Sequence, residues 1–310
     1  AASVRAMLER EMDRYKVEVH CDETLQRIIP RKDLSGQNIT GYEVQTDRDK
    51  YLVRKLILAV GGSAAPAQGT TGDGYRMLQE LGVAIVPPLP ALTSIELDDA
   101  CCKLWSGVRI MGQVELWCEG SRLAEDIGEI QMVAKGISGI PVFQISRYAA
   151  RALNQGIECS VTLDLCPLRK RDQVLTRLKD RRAYTQERRG AAVLLGMFPD
   201  KLCSLLLERA GISLKKQGGD WTDEDCERLA AQIKGLHFTI SRCRGYEQAQ
   251  ICTGGVPLTE LDHTTMESRR VPGLYLTGEL IDVDGACGGY NLQWAWTSGY
   301  LAGNAAGSEE

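Results

Sequence analysis

The last fifth of the chain runs Gly273-Leu274-Tyr275-Leu276-Thr277-Gly278-Glu279, then Asp282-Val283-Asp284-Gly285-Ala286-Cys287-Gly288-Gly289-Tyr290-Asn291-Leu292-Gln293, then a stretch rich in small residues. A strand, a glycine-rich turn and a helix start, in that order, constrain the fold more than any other feature. Turn glycines let the backbone approach a ligand, and the free N–H groups of a helix's first turn point at negative charge. The same order also serves as a plain tight connection, so this segment alone leaves both readings open.

A second segment repeats the logic. The apolar run Leu56-Ile57-Leu58-Ala59-Val60 predicts a strand buried on both faces, stopped by Gly61-Gly62. Gly69-Thr70-Thr71-Gly72-Asp73-Gly74-Tyr75 then leads into an amphipathic helix carrying Met77, Leu78 and Leu81, with Thr71 or Asp73 as its expected N-cap. In open α/β sheets ligands sit at the carboxyl ends of strands, so two such turns can face one crevice.

With 310 residues, 44% hydrophobic and 25% charged, the chain has ordinary globular composition and room for two domains. A net charge of -4 argues against bulk attraction to nucleic acid or anionic membrane, leaving a small molecule as the expected partner. Eleven cysteines include no C-x-x-C pair, and His20, His237 and His263 lie far apart, so free thiols, no metal site and a reducing cytoplasm are expected. No run reaches membrane-spanning length and no signal peptide is evident. Val4, Met7, Leu8 and Met12 predict an opening helix with one buried face, and Val17-Glu18-Val19-His20 a strand.

Val86-Pro87-Pro88-Leu89-Pro90 marks a boundary, because its prolines fix an extended path and oppose helix or central strand. Short alternating segments from Leu92 to Leu165 predict a small antiparallel barrel or sandwich, interrupted by a helix over 142–153. Pro167 to Gly235 reads as helical: Leu168, Val174, Leu175 and Leu178 suit one helix, 201–210 a second, and 223–234 a third capped by Thr222. Over 169–189 nine basic residues face only Asp172, Asp180 and Glu187. That face can attract RNA, but no aromatic platform accompanies it and a solvated helix face is the commoner explanation, so nucleic acid is not the expected partner.

Taken together, Gly69 to Tyr75, Gly136-Ile137-Ser138-Gly139, Thr253-Gly254-Gly255-Val256, Thr265-Met266-Glu267-Ser268 and Gly278 through Trp296 resemble the BaiN-like (YhiN-type) FAD-dependent oxidoreductases over essentially the whole chain. The resemblance implies an α/β, Rossmann-like FAD-binding domain, formed by 1–91 and 246–310. It is interrupted by an insert over 92–245, with a β-barrel at 92–165 and helices at 166–245. The family's opening βαβ unit with G-x-G-x-x-G is not present, so the cofactor domain reads as N-terminally truncated.

The resemblance also implies site residues. It places Gly61 and Gly62 beside the cofactor, Gly278 and Glu279 near its ribityl or phosphate portion, and Gly289, Tyr290, Asn291, Leu292 and Gln293 at the flavin ring. Free N–H groups at a helix start stabilise the negative charge of reduced flavin. Cys287, just before that helix, is a weak nucleophile or redox candidate. Asp282 and Asp284 suit acid–base work or a turn, and Gly299, Ala302, Gly303 and Ala306 suit close packing on the sheet. The implied activity is FAD-mediated hydride transfer with NAD(P)H as donor. The competing expectation is a cofactor-free binding or scaffold module, and uncovered apolar faces predict a homo-oligomer.

Overall fold

A computed structural model describes residues 2–308. Helix α1 (Ala2–Arg14) precedes an antiparallel meander of β1 (Leu25–Lys32), β2 (Ile39–Thr46) and β3 (Lys50–Val53), and then β4 (Leu56–Leu58) and α2 (Asp73–Glu80). After β5 (Val86–Ala91) come β6 (Ile95–Leu97), α3 (Cys102–Trp105), β7 (Arg109–Cys118), β8 (Ser121–Val133), β9 (Gly136–Ser138), α4 (Ile140–Asn154) and β10 (Cys159–Asp164). Three helices, α5 (Arg171–Tyr184), α6 (Asp200–Arg209) and α7 (Asp223–Lys234), lead to β11 (Leu236–Cys243). The chain closes with β12 (Ile251–Gly255), β13 (Leu274–Leu276) and α8 (Tyr290–Gly307).

Six strands close a barrel in the order β10, β11, β6, β9, β8, β7. The sequence expectation of a barrel ending near Leu165 lacks its last stave: β11 arrives only after the three helices and seals β10 to β6. Alternation drives closure, because Val114 and Leu116 of β7 and Val161 and Leu163 of β10 point inward and are fully buried. The β7–β8 hairpin turns on Glu119 and Gly120, whose φ angles of 50° and 75° are the paired left-handed values of a type I′ turn. Helix α6 extends this core with Leu202, Leu205, Leu206 and Leu207, and Trp105 meets Phe238 edge-on at 5.0 Å. Helix α7 starts as expected: Thr222 Oγ1 accepts the Asp225 N–H and Asp225 Oδ2 accepts the Thr222 N–H.

A second core collects Tyr42, Leu58, Tyr75, Leu78, Leu274, Leu276, Leu280 and Ala302 around a parallel pair, with β13 lying beside β4 in the register Leu56↔Leu274 to Leu58↔Leu276. Antiparallel β5 and β12 link the two halves through Ala91, Leu92 and Ile251. The prolines of β5 do not prevent a strand; they confine it to a two-stranded sheet where missing N–H donors cost little.

Six other expectations are corrected. Helix α1 forms but buries no residue, with Val4, Met7 and Leu8 each at least two-fifths exposed. Residues 17–20 form no strand. Ile57 and Val60 are exposed, so β4 is covered on one face only, and Leu168 lies outside α5 in solvent. Gly299 and Gly303 have no neighbour where a side chain would stand, so Ala302, not the glycines, seats α8 on the sheet. Helix α2 is preceded by Gly72 at φ 82° with no side-chain cap, because the Thr71 hydroxyl turns to Asp73 Oδ2 instead.

Candidate functional site

The parallel strands β4 and β13 end side by side, and their continuations diverge into Gly61-Gly62 and Gly278-Glu279. A cleft opens there, at the carboxyl ends, where α/β sheets bind ligands. It has two lobes. One, about 350 Å³, is lined by Leu92, Gln250, Cys252, Glu279, Cys287 and the first turn of α8. The other, about 540 Å³, is lined by Val60, Gly61, Ala65, Gly69 and Thr70. Gln68, Gln250 and Glu279 border both, so the lobes form one elongated cleft.

Glu279 stands at the junction. Its Oε1 accepts the Cys252 N–H at 2.5 Å, and its side chain lies so close to Gly62 that a Cβ there would meet Glu279 Cδ at 2.8 Å. Gly62 is glycine because the carboxylate occupies the space of a side chain. Burial raises the Glu279 pKa, and backbone donors from Cys252 and Gly62 oppose that rise. The Cys252 thiol, also buried, is pushed up to about 12 and accepts the Ser63 N–H at 3.3 Å. Thr70 closes the other lobe, its hydroxyl bonding the Val60 carbonyl at 3.1 Å and the Gly62 carbonyl.

At the rim, Gly288 and Gly289 adopt φ 123° and 98°, and Gly289 caps α8 without a side chain. The chain turns there with nothing overhead, leaving the first N–H groups of α8 without a side-chain cap beside the cleft. Asn291 lines the cleft and braces the turn, its amide bonding the Gly285 N–H and carbonyl at 2.8 and 3.1 Å. Both polar groups of Gly278 are engaged by α8, its N–H by Ser298 Oγ at 2.9 Å and its carbonyl by the Trp294 indole at 3.1 Å. Gly278 therefore docks the helix.

Among the residues expected from sequence, Gly61, Glu279, Cys287, Gly289, Asn291 and Leu292 line the cleft, and Gly62 lies directly behind Glu279. Tyr290 points into solvent and Gln293 pairs with Thr297, so neither borders it. Asp282 and Asp284 are bound to Arg151 and Arg147, which suits a structural turn. The sequence reading missed Gln68, Leu92, Gln250, Cys252 and Trp294. Leu92 carried no local signal, yet it holds φ 49° while fully buried, a strained geometry of the kind found at functional sites. All eleven cysteines are free, and no metal-binding cluster occurs among the described residues.

The residues present fit a flavin: an elongated cleft, Gly61 lining it at a strand end, and an uncapped helix start at one end. Parallel strands with such a cleft at their carboxyl ends define an α/β, Rossmann-like protein. The family described as the HI0933-like protein Rossmann domain matches residues 1–305, and the chain belongs to that family. It is 38% identical over 306 residues to a 3-dehydro-bile acid delta(4,6)-reductase of Clostridium scindens, covering 99% of this chain and 73% of that protein. Ribosomal RNA dihydrouridine synthases are more distant: 29% identity over 303 residues for the Haemophilus influenzae protein, covering 97% of this chain and 71% of that one. The Escherichia coli protein is 28% identical over 267 residues, covering 84% and 62%. The expected BaiN-like membership is thus shown, and with it an oxidoreductase family. No described helix is long and apolar enough to cross a membrane.

Proposed function

We propose that this protein is an FAD-dependent reductase of carbon–carbon double bonds conjugated to a carbonyl. The observation that carries the reading is the cleft at the ends of β4 and β13, with Glu279 at its centre and the α8 N-terminus at its rim. Relatives with two different substrates support the reaction class. A 3-oxo steroid with a ring double bond and a uracil ring share one motif, an alkene polarised by a neighbouring carbonyl. Bound FAD, recharged by NAD(P)H, supplies the hydride for such a bond.

The chain's own residues then have distinct tasks. Gly61, which lines the cleft, lets the cofactor approach the strand end, Gly62 makes room for the Glu279 carboxylate, Glu279 accepts hydrogen bonds between the lobes, and the N–H groups after Gly289 favour negative charge. The carbon next to the substrate carbonyl needs a proton. Cys287 is the cleft thiol placed to give it: its Sγ is held only by a long contact to Gln250 Oε1 at 4.0 Å, whereas Cys252 is buried and bound by the Ser63 N–H and Glu279 is bound by the Cys252 amide. The thiolate that results recovers its proton from water. Leu92, Ile251, Val283, Leu292 and Trp294 make the lining largely apolar, which suits a fused ring system such as a steroid. In this reading residues 1–91 and 246–310 carry the cofactor, and 92–245 form an insert that shapes the substrate side.

A second reading, an RNA substrate, draws on one observation. Arg169, Lys170, Arg171, Arg177, Arg188 and Arg189 are exposed and none has an ion-pair partner among the described residues. The decisive experiment mixes the chain with FAD, reduces it anaerobically with NADPH, and adds a 3-oxo-Δ4 steroid or uridine-containing RNA. Flavin reoxidation by the steroid is the expected result. Reoxidation by RNA alone selects the second reading, and failure to retain FAD overturns both.

A further inference from the structure

Helix α4 is amphipathic in an unusual partnership. Val142, Ile145, Ala149 and Ala152 place one apolar stripe on the barrel. Gln144, Arg147 and Arg151, at spacings i, i+3 and i+7, form a second, polar stripe that faces the other half of the molecule. There the helix meets both walls of the cleft. Arg151 Nε donates to Thr253 Oγ1 at 2.8 Å on β12, the strand that brings Ile251 and Cys252 to the lining. Arg147 donates to the Asp284 carbonyl at 2.6 Å, to Asp284 Oδ1 at 3.1 Å and to the Gly285 carbonyl at 3.2 Å. Gln144 Oε1 accepts the Cys287 N–H at 3.1 Å and the Arg147 guanidinium at 3.3 Å.

The segment from Asp282 to Gly289 has no regular secondary structure, so its shape must come from side chains. Arg147 is mostly buried against it and reaches two successive carbonyls at once, a forked geometry that lysine cannot copy. The seam is not built for maximal stability. Arg147 Nε and Asp284 Oδ2 are buried without a hydrogen bond, Asp284 Oδ2 having only an ionic neighbour, Arg151 Nη2 at 3.6 Å. What the arrangement fixes is position: the path of the backbone that presents Cys287 and the α8 N-terminus to the cleft.

We propose that Gln144 and Arg147 are positioning residues, by which the barrel insert sets the cleft loop that carries Cys287. Its functional half rests on the reading of the cleft as a flavin and substrate site, whereas its structural half does not. The barrel is then a working part of the site, because anything that shifts α4 shifts the loop.

The test is amide hydrogen exchange on the full chain for wild type, Gln144→Ala, Arg147→Ala and Arg147→Lys, with an FAD titration of each. Losing one hydrogen bond to the Cys287 N–H is expected to speed exchange there roughly tenfold in Gln144→Ala. Arg147→Ala should accelerate residues 284–288 as a block while barrel amides keep their rates, and Arg147→Lys should not restore protection. FAD affinity should fall at least several-fold with loop protection. Unchanged exchange at 284–288 in Gln144→Ala and Arg147→Ala overturns the proposal, and Gln144→Ala alone decides it if the arginine variant does not fold. Faster exchange with unchanged FAD affinity overturns its functional half. A wild-type chain that binds no FAD sinks the flavin reading, while the exchange data still decide whether α4 positions the loop.

Discussion

Gly62→Ala tests whether the carboxylate at the centre of the cleft is held as described. Gly62 does not adopt a left-handed φ, so alanine suits its backbone and the whole cost is space. The new Cβ would stand 2.8 Å from Glu279 Cδ and 2.9 Å from both Cγ and Oε1. Glu279 must retreat by about 0.7 Å to reach an ordinary carbon contact near 3.5 Å. That motion strains or breaks the 2.5 Å hydrogen bond from the Cys252 N–H. Overpacking costs about 1–3 kcal/mol, and a hydrogen bond to a charged group about 1.5–3 kcal/mol; partial escape of the carboxylate to cleft water brings the sum to roughly 2–4 kcal/mol. Urea unfolding at constant m-value reads this directly as a lower midpoint. Since Glu279 borders both lobes, its displacement should also weaken FAD retention. A loss below about 0.5 kcal/mol, the range of an indifferent surface change, would refute the reasoning.

The same experiment on α8 should have the opposite sign. Gly299→Ala meets open space in a helix interior and is expected to stabilise by about 0.5–1 kcal/mol, and destabilisation would show that the glycine is packed after all. Thr222→Ala removes half of a reciprocal cap and should cost about 1 kcal/mol in the same denaturation series; no loss means the cap is idle. Glu279 has a folded pKa raised above its ordinary 4.5, so its stabilising share is complete below that value and is lost as pH rises through the folded pKa. Wild type should therefore lose stability relative to Glu279→Gln as pH climbs from about 4.5 towards neutrality, and parallel pH profiles would contradict the burial of the charge. The exposed Val4, Met7 and Leu8 of α1 should drive concentration-dependent self-association, and a monomer at every concentration in sedimentation would count against it.

Features written in short stretches of sequence were legible. Thr222 announced the cap that opens α7, and the alternation from Gln113 to Leu116 announced a barrel strand. The glycine turns at 61–62 and 288–289 marked both ends of the cleft. Features that depend on remote partners were not. The barrel's closing strand sits beyond three helices, and neither Arg147 nor Asp284 carries a local mark of a contact spanning 137 positions. Periodicity also misled at the start of the chain: the stripe of α1 is real, but a stripe says only which face is apolar, not that anything covers it.

The parallel pair of β4 and β13 has a consequence for how the molecule comes into being. Thr277 reaches Leu58 across 219 positions, and the cleft floor exists only once both are in place. Closing so long a span costs chain entropy before any contact repays it, so this pairing belongs to the late events of folding. The barrel and its helices are complete by Cys243 and can condense first, on the ribosome or in refolding. Until β13 emerges, Leu56, Ile57 and Leu58 wait without their partner strand, which leaves the apolar edge of β4 uncovered in the nascent chain.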